Sequence, residues 1–336
     1  MDKFIVITSI FLPTEAIEKF AKLKDWKVIV VGDKKTAADW SYPGVTYLSP
    51  EGQQEVANMF SGLLSWNSYA RKNIGYLHAI SQGARVIYES DDDNIPLKNW
   101  VSEPEFSIDA ELISDASFVN IYSYFTDKKV WPRGIPLRCV LDAEVPKVTP
   151  AKKLNVGVWQ YLADEDPDVD AIYRLTVNDP IYFRWRAPLV LNRNTCCPFN
   201  SQNTYFRREV FPLLYLPSTV TFRFTDILRG LVAQPILWAA GYHLGFAGAT
   251  VLQKRNPHDY LKDFESEIPC YLSAEKVVEI AKEAVSAHRS VPENMMSVYR
   301  ALRDKGVVAE RELEILGCWL DLVVSRIGEP TVHLKM

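Results

Sequence analysis

Cysteine is scarce. The 336-residue chain has five, at positions 139, 196, 197, 270 and 318, with no C-x-x-C pair among them. An odd count in that spacing excludes a disulfide framework and a structural zinc site. It fits reduced thiols in a cytosolic protein. Long hydrophobic runs are also missing. The longest, such as Trp26 to Gly32, fall far short of a bilayer span. The first residues, Met1-Asp2-Lys3-Phe4-Ile5-Val6-Ile7-Thr8, lack the basic n-region and long apolar h-region of a signal peptide, and read as a first strand. Positive charge is in short supply. With 38 Lys+Arg against 42 Asp+Glu, the net charge is −4, so no global basic field recruits nucleic acid. No repeat and no low-complexity tract is present. The expectation is a cytoplasmic protein, membrane-peripheral at most, with no transmembrane segment and no nucleic-acid partner. The oligomeric state is left open.

A hydrophobic content of 48% and an aromatic content of 12% suffice for a sizeable core. Strand and helix patterns alternate over the first hundred residues. Strands are predicted at Lys3–Ser9, Lys27–Val31, Val45–Leu48 and Val86–Tyr88, and helical spacing at Glu15–Leu23, Gln53–Phe60 and Tyr69–Gly83. This order predicts βαβ units and a mostly parallel sheet. Farther on, Val156–Gln160 reads as a strand. Thr225–Gly241 reads as a helix that kinks or restarts at Pro235. Beyond Tyr271 the periodicity turns helical, at Ser273–Ala287, Glu293–Arg303 and Ala309–Arg326. The expected organisation is an α/β body over residues 1–270 and a helical C-terminal extension over 271–336.

Chemistry concentrates where the fourth strand ends. Val86-Ile87-Tyr88 is followed by Glu89-Ser90 and then Asp91-Asp92-Asp93-Asn94. Three successive like charges repel, which calls for a compensating cation. All-oxygen ligands suit Mg²⁺ or Mn²⁺, and such metals are usually shared with substrate phosphates. Open α/β sheets also bind ligands at the carboxyl ends of their strands. In an extended stretch Asp91 and Asp93 point the same way. Asp93 is the preferred direct ligand, with Asp91 reaching the metal, a metal-bound water or a ribose. The alternative is a solvated acidic turn.

Other candidates follow the same logic. Arg71 and Lys72 precede the helix leading to that strand, so they face either a diphosphate or solvent. Asp33, after the second strand, accepts from a base or ribose, or is a turn residue beside Gly32. Asp226 opens the helix at 225, as a cap or as a base toward an acceptor hydroxyl. Arg229, one turn on, orients Asp226 or contacts phosphate. His258, in Lys254-Arg255-Asn256-Pro257-His258-Asp259, is a candidate third metal ligand, with Lys254 and Arg255 near the diphosphate. Asp164, Asp166, Asp168 and Asp170 suggest a calcium loop only superficially. Val169 and Leu175 stand where that loop needs Gly and Glu. The run recognises hydroxyls or is an acid-rich helix start. Trp66, Trp100, Trp159, Trp185 and Trp238 are either core residues or sugar-stacking platforms.

Several ordered blocks carry a resemblance. They are Lys72-Asn73-Ile74-Gly75-Tyr76-Leu77-His78-Ala79-Ile80 followed by Asp91-Asp92-Asp93-Asn94, then Asp166-Pro167-Asp168-Val169-Asp170-Ala171-Ile172-Tyr173-Arg174-Leu175. Thr225-Asp226-Ile227-Leu228-Arg229-Gly230 and Asn256-Pro257-His258-Asp259-Tyr260-Leu261-Lys262-Asp263-Phe264 complete the set. Together they resemble the STELLO-like (DUF288) family over roughly residues 1–270. That family looks like GT-A glycosyltransferases and is more distantly similar to the reversibly glycosylated polypeptides, which are UDP-arabinopyranose mutases. The resemblance implies a Rossmann-like nucleotide-sugar domain with a metal-binding Asp-x-Asp. Asp226 would stand where inverting members carry their catalytic acid. The leading expectation is a Mn²⁺- or Mg²⁺-dependent transferase that moves a sugar from a nucleotide-diphosphate sugar, UDP-sugar favoured, to a hydroxyl of a glycan or glycolipid. The alternatives are a nucleotide-sugar mutase and a non-catalytic binding or assembly protein.

Overall fold

The computed structural model describes residues 2–114, 117–140 and 145–327. Among them, ten strands form one mixed sheet in the order β3-β2-β1-β4-β9-β7-β6-β8-β10-β5. The strands are β1 (Lys3–Thr8), β2 (Lys27–Val31), β3 (Val45–Leu48), β4 (Val86–Asp91), β5 (Asn94–Pro96), β6 (Ser107–Ile113), β7 (Val148–Asp164), β8 (Leu189–Leu191), β9 (Asn203–Arg207) and β10 (His243–Gln253). The helices are α1 (Glu15–Phe20), α2 (Pro50–Leu63), α3 (Lys72–Ser81), α4 (Leu137–Val140), α5 (Ala171–Thr176), α6 (Thr225–Ala239), α7 (Tyr260–Ala284), α8 (Val291–Asp304) and α9 (Arg311–Ile327). The predicted α/β architecture with a helical C-terminal region is what the chain adopts.

The N-terminal quarter of the sheet is parallel. β1 pairs with β2 on one side and β4 on the other, with Thr8 opposite both Val31 and Asp91. All three strands therefore end at one edge, and the chain order reverses between β1 and β4. That is the switch point at which open α/β sheets take their ligands. Beyond β4 the sheet becomes mixed, since β9 runs antiparallel to both β4 and β7 while β7 and β10 are parallel.

Alternation along β1 shows why the sheet is covered on both faces. Phe4 and Val6 join the larger core under α2, α3 and α6–α9, whereas Ile5 and Ile7 join the second core with Ile17 and Phe20 of α1. Helix α3 lies unusually close to the sheet. A Cβ on Gly75 would come within 2.6 Å of Val6 Cγ1 and 2.7 Å of Val31 Cγ2. This packing pins the helix directly behind the strand ends.

Two elements depart from the sequence reading. Helix α6 runs unbroken through Pro235, and every residue from Thr225 to Trp238 is buried. Packing on all sides outweighs the local proline penalty, which propensity alone cannot foresee. Helix α7 begins at Tyr260 and crosses position 270 without interruption. The last helices are part of the core. Trp319 packs against Phe60, Tyr76 and Tyr215. Glu312 is fully buried and accepts from the backbone N–H groups of Ser218 and Thr219. Among the described residues, no helix is long and apolar enough to cross a membrane.

Candidate functional site

A cleft of about 310 Å³ opens at the shared edge of β1, β2 and β4. Asp33, Arg71, Asp91, Asp92, Asp93, Asp226 and His258 all line it, although the sequence spreads them over more than 220 positions. The sheet brings the first five together, and the start of α6 and the loop from β10 to α7 supply the other two.

The three aspartates have different surroundings. Asp91 is compensated from within the chain. Its Oδ1 accepts from the Tyr69 hydroxyl at 2.6 Å and lies 3.3 Å from the Lys72 ammonium. Lys72 is fully buried and also donates to the Ser90 carbonyl at 2.6 Å, so it stands behind Asp91 and not in the cleft. Asp92 accepts from the Ser9 hydroxyl. Asp93 accepts from Gln253 Nε2 at 3.0 Å and Asn94 Nδ2 at 3.1 Å. Burial first, and the neighbouring Asp91 charge second, push the Asp93 carboxyl up to about 7. Asp92 is pushed up to about 6, chiefly by burial. These are carboxylates held close to one another in a partly desolvated edge, the condition that an added cation relieves.

The donor set defines which cation arrangement fits. Among the described residues no three His, Cys, Asp or Glu side chains converge as a ligand cage. The His258 imidazole is turned to Asp263, with Nδ1 3.0 Å from Oδ2. What the site offers a hard cation is carboxylate oxygen from Asp91 and Asp93, the ligand type that Mg²⁺ takes. A cage made wholly of protein groups does not fit.

The remaining predicted residues take structural partners. Arg71 is buried, stacks on Trp66 with its guanidinium 3.5 Å from the ring centre, and donates to Gln53, Ser61 and Leu64. Asp33 accepts from the backbone N–H groups of Lys34 at 2.6 Å and Asn67 at 2.8 Å, which closes the turn after β2. Arg229 points away from the cleft and forms a buried bidentate pair with Glu89, at 2.8 and 2.6 Å. Lys254 is exposed and pairs with Glu15 at 3.2 Å. None of Trp66, Trp100, Trp159, Trp185 and Trp238 is among the lining residues.

The floor of the cleft holds a group that sequence reasoning missed. Arg133 grips two carboxylates at once. Nε and Nη2 donate to Asp168, both at 2.8 Å, while Nη1 and Nη2 donate to Asp226 at 3.0 and 2.9 Å. Burial opposes the Asp168 charge, but Arg133 and Arg223 outweigh it and hold that carboxyl well below its usual range. Asn200 Nδ2 adds a bond to Asp168 at 2.9 Å, and its own carbonyl accepts from Arg229 Nη2 at 3.0 Å. The Glu89–Arg229 pair therefore buttresses the floor from beneath. Each aspartate of the 164–170 run has a separate task. Asp164 accepts from Phe183 N–H, Asp166 pairs with Arg174, Asp168 pairs with Arg133, and Asp170 caps α5.

Arg223 and Arg255 also line the cleft, Arg223 paired with the buried Glu267 at 2.8 Å and Arg255 next to Lys254, whose backbone N–H donates to the Asp93 carbonyl at 3.0 Å. Arg255 is 92% buried at its side chain (8% exposed), 3.6 Å from Asp263 and 3.9 Å from Asp166. Its Nε and Nη2 have no hydrogen-bond partner among the described residues. Burial, then repulsion from Arg174 and Arg223, lowers its guanidinium to about 10. A cation strained in this way gains most from an approaching anion. The local signal was present in the basic Lys254-Arg255 pair. Only the fold shows that Arg255 turns inward and Lys254 outward.

With this geometry in hand, the relatives are informative. Residues 223–328 match the family described as STELLO glycosyltransferases. That segment includes Arg223, Asp226, Arg255 and His258, and it extends the resemblance through α9, past the limit near residue 270 read from the sequence blocks. The chain is 27% identical over 98% of its length to the "Probable glycosyltransferase STELLO1" of Arabidopsis thaliana, and 26% identical over 98% to the STELLO2 protein of the same plant. These alignments cover 45% and 46% of the two relatives, so the chain spans less than half their length. By these matches the chain is similar to the STELLO glycosyltransferases along nearly its whole extent.

Proposed function

We propose that this chain is a glycosyltransferase unit that takes a nucleotide-diphosphate sugar, UDP-sugar first, and transfers its sugar to a hydroxyl of a glycan or glycolipid. One observation carries the reading. Asp33, the Asp91–Asp93 cluster and Asp226 meet Arg133, Arg223 and Arg255 in one cleft at the carboxyl ends of parallel strands. The STELLO relatives' names support the same class.

In this reading the Asp33 turn faces the nucleoside. Asp91 and Asp93 hold Mn²⁺ or Mg²⁺, which supplies Lewis-acid neutralisation of the diphosphate when bound. Arg223 and Arg255, which line the same cleft, offset the same charge. The acceptor oxygen bonds to the anomeric carbon, the bond from that carbon to the phosphate oxygen breaks, and its electron pair leaves with the nucleoside diphosphate. Asp226 takes the acceptor proton in a single displacement on the face opposite the leaving group, which inverts the anomeric carbon. Arg133 occupies both Asp226 oxygens, so an incoming hydroxyl must share one of them with the guanidinium.

Incubation of the full chain with a UDP-sugar panel and saccharide acceptors, with Mn²⁺ present, tests this reading through release of UDP and formation of a new glycoside. Asp226→Asn should lower kcat by about 10²–10⁴-fold while UDP binding persists. Full transfer by that variant would remove Asp226 from the role.

A further inference from the structure

Phe222 is a large aromatic side chain left more than half exposed at the cleft. It opens the tight turn Phe222–Phe224, in which Arg223 and Phe224 are buried. Phe222 itself is 57% exposed, yet it lines the cleft. Three residues per turn direct successive side chains to different sides, so burying the next two leaves Phe222 facing out. The ring is nonetheless braced. It meets Tyr69 edge-on at 5.7 Å and 70°, and the Tyr69 hydroxyl is fixed by Asp91 at 2.6 Å. Four residues later the same segment delivers Asp226. A half-exposed aromatic ring thus lines the same cleft as the aspartate cluster and the proposed base, reached from Asp91 through Tyr69.

We propose that Phe222 is the platform on which the acceptor's sugar ring stacks, which makes the acceptor a saccharide at the site of attack. The inference rests on the transferase reading above and narrows its acceptor. Pyranose rings offer an apolar C–H face edged with hydroxyls. The cleft offers the exposed Phe222 ring, braced by Tyr69, and the polar groups of Asn200, Gln202, Arg223 and Asp226, all lining it. Phe222 is a positioning and specificity residue in this account, and Asp226 remains the group that moves the proton.

The test uses the full chain with Phe222→Ala, Phe222→Leu and Phe222→Tyr. Binding of UDP with Mg²⁺ is measured first. Binding of methyl glycosides of gluco-, galacto- and manno-disaccharides is then followed by ligand-observed NMR with UDP and Mg²⁺ present. Unchanged UDP affinity is expected in all three variants. The best disaccharide should bind roughly three- to tenfold more weakly to the Ala and Leu variants and within about twofold of wild type to the Tyr variant. Equal binding by the Ala or Leu variant would overturn the platform, as would failure of every disaccharide to bind the wild type. A loss confined to UDP would also overturn it, because the ring would then serve the donor. If the wild type binds disaccharides through Phe222 but never binds UDP, the transferase reading falls and the platform stands.

Discussion

Gly230 sets propensity against geometry. It lies inside α6, where replacing glycine by alanine ordinarily gains about 0.8–1 kcal/mol of helix stability. At this site a Cβ would collide with the carbonyl oxygen of Phe199 and lie 3.2 Å from its carbon and nitrogen. Backbone cannot swing aside as a long side chain can. Overpacking of that kind costs about 1–3 kcal/mol. Because the clash is with backbone, the upper part of that range, about 2–3 kcal/mol, applies, and subtracting the helix gain leaves a net loss of about 1–2 kcal/mol for Gly230→Ala, or a fall in Tm of roughly 1.5–3 °C for a chain of this size. The effect should reach the cleft as well, because Asn200 follows Phe199 and holds Asp168 at 2.9 Å. Calorimetry on the wild type and variant, paired with UDP titration, measures both consequences. A Tm equal to or above wild type would refute the close approach of α6 to the Phe199–Asn200 segment.

Further outcomes follow from charge. Asp92 and Asp93, pushed up to about 6 and about 7, keep protons in the folded chain at pH values where the unfolded chain has lost them. Between about pH 4 and those values the folded state binds more protons, so their contribution makes stability fall as pH rises. Melting curves from pH 5 to 8 should therefore be flatter for an Asp92→Asn, Asp93→Asn double variant than for the metal-free wild type. An identical pH slope would contradict this. Arg255 and Arg71 should separate in titrations with UDP and Mn²⁺. Arg255→Met should weaken UDP binding about 10–100-fold, the worth of a charge-assisted contact. Arg71→Met, whose guanidinium serves Gln53, Ser61 and Leu64, should lower Tm and leave the salt dependence of UDP binding unchanged.

Local chemistry made part of this site legible. A buried apolar strand running into three aspartates marks a strand end at the ligand edge, and β4 ends at Asp91. An acid at the start of a helical pattern marked Asp226. Arg133 left no such trace, because its value comes from Asp168, 35 positions away, and Asp226, 93 positions away. Burial was equally invisible. Arg71 and Lys72 read as facing a diphosphate or solvent and Arg229 as orienting Asp226 or contacting phosphate, but all three are buried and take partners within the chain: Gln53 for Arg71, the Ser90 carbonyl for Lys72 and Glu89 for Arg229. The sheet's later strands were obscured by composition. β10 carries Gly245 directly against the Trp159 ring, a packing need that weakens the strand pattern.

The most direct test of the central claim is a thermal-shift titration of the full chain with UDP and UDP-sugars, with and without Mn²⁺, alongside Asp91→Asn and Asp93→Asn. A ligand at 100 times its Kd should add about 2.7 kcal/mol to wild-type stability when Mn²⁺ is present, and the gain should shrink sharply without the metal or in either variant. A wild type that no nucleotide stabilises, with or without Mn²⁺, would contradict the account.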